Sequence, residues 1–254
     1  MLVDTHCHVY LPHFRKDIDA VLERASTAGV KHIFMPAINL DSLGQMDTIA
    51  HPDINLHKMA GLHPTELNEG KAIEEEELFS LCKQDDIVAV GETGLDYHWS
   101  EDYKRQQKES LRMHCRVARK TGKPVVLHNR ESTGDLFSII EQEQDGNLRG
   151  IWHCFNGSVE EGKRALDLGL HLGVGGVITF KNADVDKAVA RLPLAQMMLE
   201  TDAPYLAPEP RRGERNEPGF VRYTAKKLAS AMEKSVEEIK EKTSQTAKYF
   251  FEID

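Results

Sequence analysis

Two histidines, His6 and His8, flank Cys7 just after the apolar pair Leu2-Val3, and four more groups able to bind a metal each close a separate apolar run. Glu92 follows Val88-Ala89-Val90-Gly91, His128 follows Pro124-Val125-Val126-Leu127, His153 follows Gly150-Ile151-Trp152, and Asp202 follows Met197-Met198-Leu199-Glu200-Thr201. Residues two apart on a strand point the same way, so both imidazoles of His6-Cys7-His8 can reach one cation while Cys7 faces away. An H-x-H pair is weak evidence in a chain with 12 histidines. Four further repeats of apolar strand followed by ligand type are much harder to obtain by accident. Mixed imidazole and carboxylate donors suit Zn, Mn, Fe or Mg, and the absence of thiolates argues against a closed structural zinc site. Two ions would need a bridging group, for which Glu92 is the natural candidate. Asp202, with Glu200 behind it, could bind metal and also accept the proton of an activated water, giving hydrolysis at phosphorus or carbon.

Such ligands converge only if the strands that carry them lie side by side. Strand-like runs recur at 2–5, 32–36, 55–60, 87–92, 124–128, 150–153, 170–174 and 196–200, the eight that a closed barrel requires. Amphipathic stretches at 18–28, 73–82, 106–121, 136–143, 159–168 and 185–192 separate them, and two more helices follow Pro218. This alternation predicts parallel strands joined by right-handed crossovers, an α/β fold of the (β/α)8 TIM-barrel type in one domain over 1–254. Gly29, Gly122 and Gly169 read as helix ends, Ser235-Val236-Glu237-Glu238 as a capping box, and Tyr249-Phe250-Phe251 as packing that seals the barrel.

The formal net charge is −9 over 254 residues, which argues against clamping long duplex through a basic face. A nucleic-acid substrate remains compatible, because bound cations supply local positive charge. No run approaches a membrane span and no leader precedes Leu2, so a cytoplasmic monomer with no membrane partner is expected. Cys7, Cys82, Cys115 and Cys154 form no C-x-x-C pair and read as reduced, buried packing residues.

Taken in order, His6-Cys7-His8, Gly61-Leu62-His63-Pro64, Gly91-Glu92-Thr93-Gly94-Leu95-Asp96, His128-Asn129-Arg130, His153-Cys154-Phe155, Thr179-Phe180-Lys181-Asn182, Glu200-Thr201-Asp202-Ala203-Pro204-Tyr205 and Arg215-Asn216-Glu217-Pro218 form a highly specific set. The chain resembles the TatD family of metal-dependent deoxyribonucleases from residue 2 to about residue 220. The resemblance implies an amidohydrolase-superfamily barrel with two divalent ions (Mg, Mn or Zn). It implies hydrolysis of DNA from the 3′ end, with RNA as a further substrate. Carried over residue by residue, it implies one metal on His6, His8, Glu92 and Asp202 and the other on Glu92, His128 and His153. Asp202 is then the principal base and Glu92 its catalytic partner. Substrate contacts are expected from His63, Arg130 and the Arg215-Asn216-Glu217 loop, and Asp96 and Glu200 are placed with them. Asp96 could equally orient a ligand or cap a helix. Asp4 is expected beneath the site as the partner of a histidine N–H. Tyr97, His98 and Trp99 could stack on a base or cap the barrel. The isolated histidines, His114 and His57 among them, carry no special reading. Thr246 stands where the family suggests Asn. An alternative is an ester or amide hydrolase such as a D-aminoacyl-tRNA deacylase, since an activated water does not itself choose phosphorus over carbonyl carbon. Glu92, where many barrel amidases carry a carboxylated lysine, counts against a small amide. The intact ligand set counts against a non-catalytic binding protein.

Overall fold

A computed structural model describes residues 1–253. Eight strands, β1 (Leu2–Asp4), β2 (Val30–Met35), β3 (Asn55–Ala60), β4 (Ile87–Asp96), β5 (Val125–Arg130), β6 (Gly150–Trp152), β7 (Leu170–Val174) and β8 (Met197–Leu199), lie in sequence order in one sheet. Every neighbouring pair from β1·β2 to β7·β8 is parallel. The seam between β8 and β1 closes just beyond the strands. The Thr5 N–H and hydroxyl both donate to the Leu199 carbonyl, at 3.0 and 3.1 Å. The Asp202 N–H donates to the His6 carbonyl and the His8 N–H to that of Ala203, each at 2.8 Å. Closure leaves no unpaired edge and yields the expected (β/α)8 barrel.

Asp4 belongs to this seam. Its carboxylate accepts the Thr201 N–H at 2.9 Å, the Thr201 hydroxyl at 2.6 Å and the His6 main-chain N–H at 3.4 Å. It therefore stitches strand to strand and does not serve an imidazole N–H, contrary to the expectation from sequence.

The helices α1 (Ile18–Thr27), α2 (Asp41–Met46), α3 (Pro64–Asn68), α4 (Glu75–Cys82), α5 (Lys104–Thr121), α6 (Thr133–Glu143), α7 (Val159–Asp167), α8 (Val185–Val189), α9 (Val221–Ala231) and α10 (Val236–Phe251) follow the expected alternation, with two additions. Neither α2 nor α3 was legible, because each spans fewer than two turns and shows no apolar period. Helix α5 ends at Gly122 in the left-handed region (φ 71°), as its glycine suggested. The Ser235 hydroxyl accepts the Glu238 N–H at the start of α10.

Inside the barrel, Val3, Phe34, Met59, Ala89, Val126, Ile151 and Met198 form one apolar cluster, closed from below by Ala247, Phe250 and Phe251 of α10. Phe34 and Phe251 meet with ring centroids 4.2 Å apart. Tyr249 does not share in this seal and is 84% exposed. On three sides of the barrel the strand period of two leads upward from the cluster: Val126, His128 and Arg130 on β5, Ile151 and His153 from β6, Met198, Glu200 and Asp202 from β8; on β1 and β4 the phase changes between Val3 and His6 and between Ala89 and Glu92. The apolar cluster is thus the floor on which the polar layer stands. Truncating Phe34→Ala should lower unfolding free energy by about 3–5 kcal/mol, measured by urea unfolding, through the cavity left in this floor. A loss below about 1 kcal/mol would contradict the assigned packing.

Candidate metal centre and catalytic cavity

Glu92 lies at the centre of the polar layer, 2% exposed. Its two carboxylate oxygens face different partners. Oε2 lies 3.1 Å from His6 Nε2 and 3.5 Å from His8 Nε2. Oε1 lies 3.1 Å from His128 Nδ1, 3.5 Å from His63 Nε2 and 3.6 Å from His153 Nε2. Asp202 Oδ1 stands 3.8 Å from His6 Nε2 and 3.6 Å from His8 Nε2. The six side chains expected from the sequence to bind metal therefore meet at one place. Asp202 is there in a left-handed conformation (φ 58°), uncommon for any residue but glycine and here fixed by the seam bond from its own N–H.

Hydrogen bonds behind the imidazoles decide which nitrogens face inward. Tyr10 donates its hydroxyl proton to the Pro36 carbonyl at 2.8 Å, so its oxygen accepts the His8 Nδ1–H at 3.1 Å. Glu200 accepts the His153 Nδ1–H at 3.0 Å, and Asp96 accepts the His128 Nε2–H at 2.9 Å. In each case the opposite nitrogen faces the centre, where it can donate to a carboxylate or, once deprotonated, offer its lone pair to a cation, the arrangement typical of metal-binding histidines. His63 is turned the other way. Its Nδ1 accepts the Thr65 N–H at 3.3 Å as the N-cap of α3, which puts the proton on Nε2 and makes it a donor toward the centre.

Electrostatics agree with this assignment. Burial works to raise the Glu92 carboxyl, but the imidazoles of His6, His63 and His153 and the hydrogen bond from His128 outweigh it and hold Glu92 well below the carboxylate range. Asp202 is likewise lowered against its burial, by the His8 hydrogen bond and the charges of His153 and His6. Burial disfavours charge on His153, yet Glu200 and Glu92 push it up to about 10. A centre that draws a proton onto an imidazole this strongly also favours a cation at the same lone pair. Donor atoms of His6, His8 and Glu92, of His6, His153 and Asp202, and of His63, Glu92 and His128 each lie within 4.8 Å of one another. These residues fit a metal site in spacing and charge, and His8, His128 and His153 also in the nitrogen they turn inward.

Comparison with known proteins identifies the lineage of this barrel. Residues 3–252 match the model of the family described as TatD related DNase. The chain belongs to the TatD-related DNase family. A Bacillus subtilis (strain 168) protein named an uncharacterized metal-dependent hydrolase, YabD, is 36% identical, with all of both chains covered. YcfH of Escherichia coli (strain K12), named in the same way, is 35% identical over 100% of this chain and 96% of its own. The crystal structure of YjjV, a TatD homologue from Escherichia coli K12, superposes with a TM-score of 0.92 at 30% identity, covering 100% of this chain and 98% of that one.

The TatD-family chain departs from the sequence reading in its outer residues. Asp96, expected to touch substrate, is 1% exposed and committed to His128, with its other oxygen on the His98 N–H at 3.0 Å. Glu200 is fully buried and accepts from His153 and, at 2.6 Å, from the Cys154 N–H. It fits only because Gly173 faces it: a Cβ there would come within 2.1 Å of Glu200 Oε2. Both carboxylates hold imidazoles in place; Glu200 is sealed below the cavity, while Asp96 reaches the cavity wall with both oxygens already engaged. The Arg215-Asn216-Glu217 loop is a clasp in the scaffold. Arg215 forks onto Asp17 at 2.8 and 2.7 Å, Glu217 accepts Arg24 at 2.8 and 2.7 Å, and Asn216, fully buried, donates to the carbonyls of Thr201 and Tyr205. His63 and the exposed Arg130 do line the cavity over the centre, whose volume is about 610 Å³.

Two positioning residues carried no signal in the sequence. Gln107 brackets the Asp96 main chain, accepting its N–H at 2.9 Å and donating to its carbonyl at 3.0 Å. His114, fully buried in α5, accepts the Leu62 N–H at 3.1 Å and donates to the Ser110 carbonyl at 2.7 Å, fixing the turn that presents His63.

Arg215→Ala should lower the thermal midpoint while leaving the substrate KM unchanged; a raised KM with an unchanged midpoint would restore Arg215 to the substrate contacts. Burial pushes His114 down to about 4, and burial together with the charge of His32 does the same for His57. Both titrate near 6.5 when unfolded, so as pH falls from about 6.5 to about 4 the unfolded chain takes up protons first and stability falls across that window. In urea titrations His114→Asn should flatten this dependence. A slope equal to that of the parent chain would contradict the assignment.

Proposed function

We propose that this TatD-family hydrolase is a metal-dependent exonuclease that removes nucleotides from the 3′ end of DNA, with RNA ends as a second substrate class, and that it acts as a cytoplasmic monomer. The observation that carries the reading is the division of Glu92 between two donor sets beneath a cavity that also holds an N–H donor, His63, and a guanidinium, Arg130. His6, His8, Glu92 and Asp202 would hold one divalent cation, Mg, Mn or Zn, and Glu92, His128 and His153 a second. Bound there, such a pair supplies Lewis-acid polarisation of a phosphoryl oxygen and an acidified water.

The chain's own groups account for the remaining work. Asp202 is held deprotonated and exposes part of its carboxylate to the cavity, where it takes the proton of the attacking water. The new bond joins that oxygen to phosphorus, the P–O3′ bond breaks, and the 3′ oxygen leaves to be protonated from solvent. His63 Nε2–H is aimed into the centre and stabilises charge building on a phosphoryl oxygen. Arg130, two residues beyond His128 on the same side of β5, grips the neighbouring phosphate through its planar fork. A volume of about 610 Å³ over a solid apolar floor is that of a single-ligand pocket, which suits a strand terminus better than a length of duplex. The net charge of −9 supports the same preference.

The test is digestion of an oligonucleotide labelled separately at its 5′ and 3′ ends by metal-stripped protein resupplied with Mg or Mn. The expected result is stepwise loss from the 3′ end that a chelator stops and that Glu92→Gln slows by roughly a thousandfold. An intact strand under every metal condition, with amino acid released from D-aminoacyl-tRNA, would replace this reading with the ester hydrolase.

A further inference from the structure

Four large apolar side chains stand out as exposed among the described residues: Met1, Trp99, Tyr205 and Tyr249. Single exposed aromatics are ordinary. Two of these four, however, line the same cavity, the one over the metal centre. Trp99 is 67% exposed and Tyr205 46%, so neither owes its place to packing in the core.

Their positions in the barrel make them a pair. Trp99 follows β4 and Tyr205 follows β8, and in a closed sheet ordered β1 to β8 these two strands lie on opposite sides of the axis. Glu92 lies on β4 and Asp202 just past β8, so the rings belong to facing walls that also carry the two carboxylates. Beside Trp99, the Arg130 guanidinium carbon lies 5.4 Å from the ring centroid, placing a phosphate-binding fork next to an aromatic face. Tyr205 is held only through its backbone. Its N–H donates to the Asp202 carbonyl at 2.8 Å and its carbonyl accepts Asn216 Nδ2 at 2.6 Å, while its ring remains in the cavity mouth between His8 and His13, 6.3 and 6.1 Å away. The neighbouring aromatics are otherwise occupied: Tyr97 is buried with its hydroxyl on Asp135, and His98 is paired with Glu131.

Resting on the nuclease reading above, we propose that Trp99 and Tyr205 are the base-stacking platforms of this chain, one on each side of the scissile phosphate. Every nucleobase has a π face, so such platforms grip a strand end without reading its sequence. Each ring flanks a group that acts on the phosphate, Trp99 beside Arg130 and Tyr205 three residues from Asp202. Stacking thereby sets the position of the diester between them.

The experiment compares two single strands, one ordinary and one whose last two 3′ nucleotides are abasic, with the intact protein, Trp99→Ala, Tyr205→Ala, Trp99→Phe and Tyr205→Phe. On the ordinary strand each alanine variant should raise KM by about tenfold, with the larger share of the loss in KM rather than kcat, and each phenylalanine variant should recover most of it. On the abasic strand the parent protein should already show the raised KM, and the alanine variants should add little to it. Bound metal should be the same in all five proteins. Alanine variants that raise KM equally on both strands, or on neither, would overturn the assignment. A parent protein that leaves both strands intact in Mg and in Mn would instead overturn the nuclease reading itself.

Discussion

One buried carboxylate organises this barrel's working end. Placing Glu92 out of water is costly, and imidazoles from four other strand ends offset that cost by converging on its two oxygens. The convergence demands that Glu92 on β4, His128 on β5 and the residues just past β1, β3 and β6 stand at the same height, which a closed barrel with a packed interior can hold. The apolar cluster of Phe34, Met59, Val126, Ile151 and Met198 sets that height from below, and the Asp4–Thr201 stitch keeps β1 and β8 in step at the seam.

Around that carboxylate stands a second ring of groups whose task is orientation. Tyr10, Asp96 and Glu200 each take the outer proton of one histidine and so turn its lone pair inward. These groups have supports of their own, Gln107 for the backbone of Asp96 and the open face of Gly173 for Glu200. His63 breaks the pattern because its Nδ1 accepts from Thr65, which leaves its Nε2 as a donor toward the centre. One residue type thus fills two roles in the same layer, and the neighbouring hydrogen bond decides between them.

How much of this was legible in the sequence depends on the range of the interaction. The eight strands, their parallel order and the six side chains that meet at the centre could be read because each of the six closes a local apolar run, and on β5 the period of two runs unbroken through Val126, His128 and Arg130. Depth could not be read. Glu200 and Asp202 lie on the same side of β8, yet one is sealed beneath the centre and the other opens to the cavity. Long-range pairing was equally silent. The partner of Arg215 is Asp17, 198 positions away, and His114 serves a main-chain N–H 52 positions away. A guanidinium in a loop and a histidine in a helix look the same in sequence whether they bind substrate, brace a turn or face solvent.

In the proposed reading Glu92 joins two donor sets into one two-ion centre, and titration of the apoprotein with Mn²⁺ followed by electron paramagnetic resonance tests that junction. The expected result is two ions per chain whose spins are coupled, with Glu92→Gln binding Mn²⁺ more weakly and showing no coupling. A single uncoupled ion per chain, bound as tightly by Glu92→Gln as by the parent protein, would contradict it.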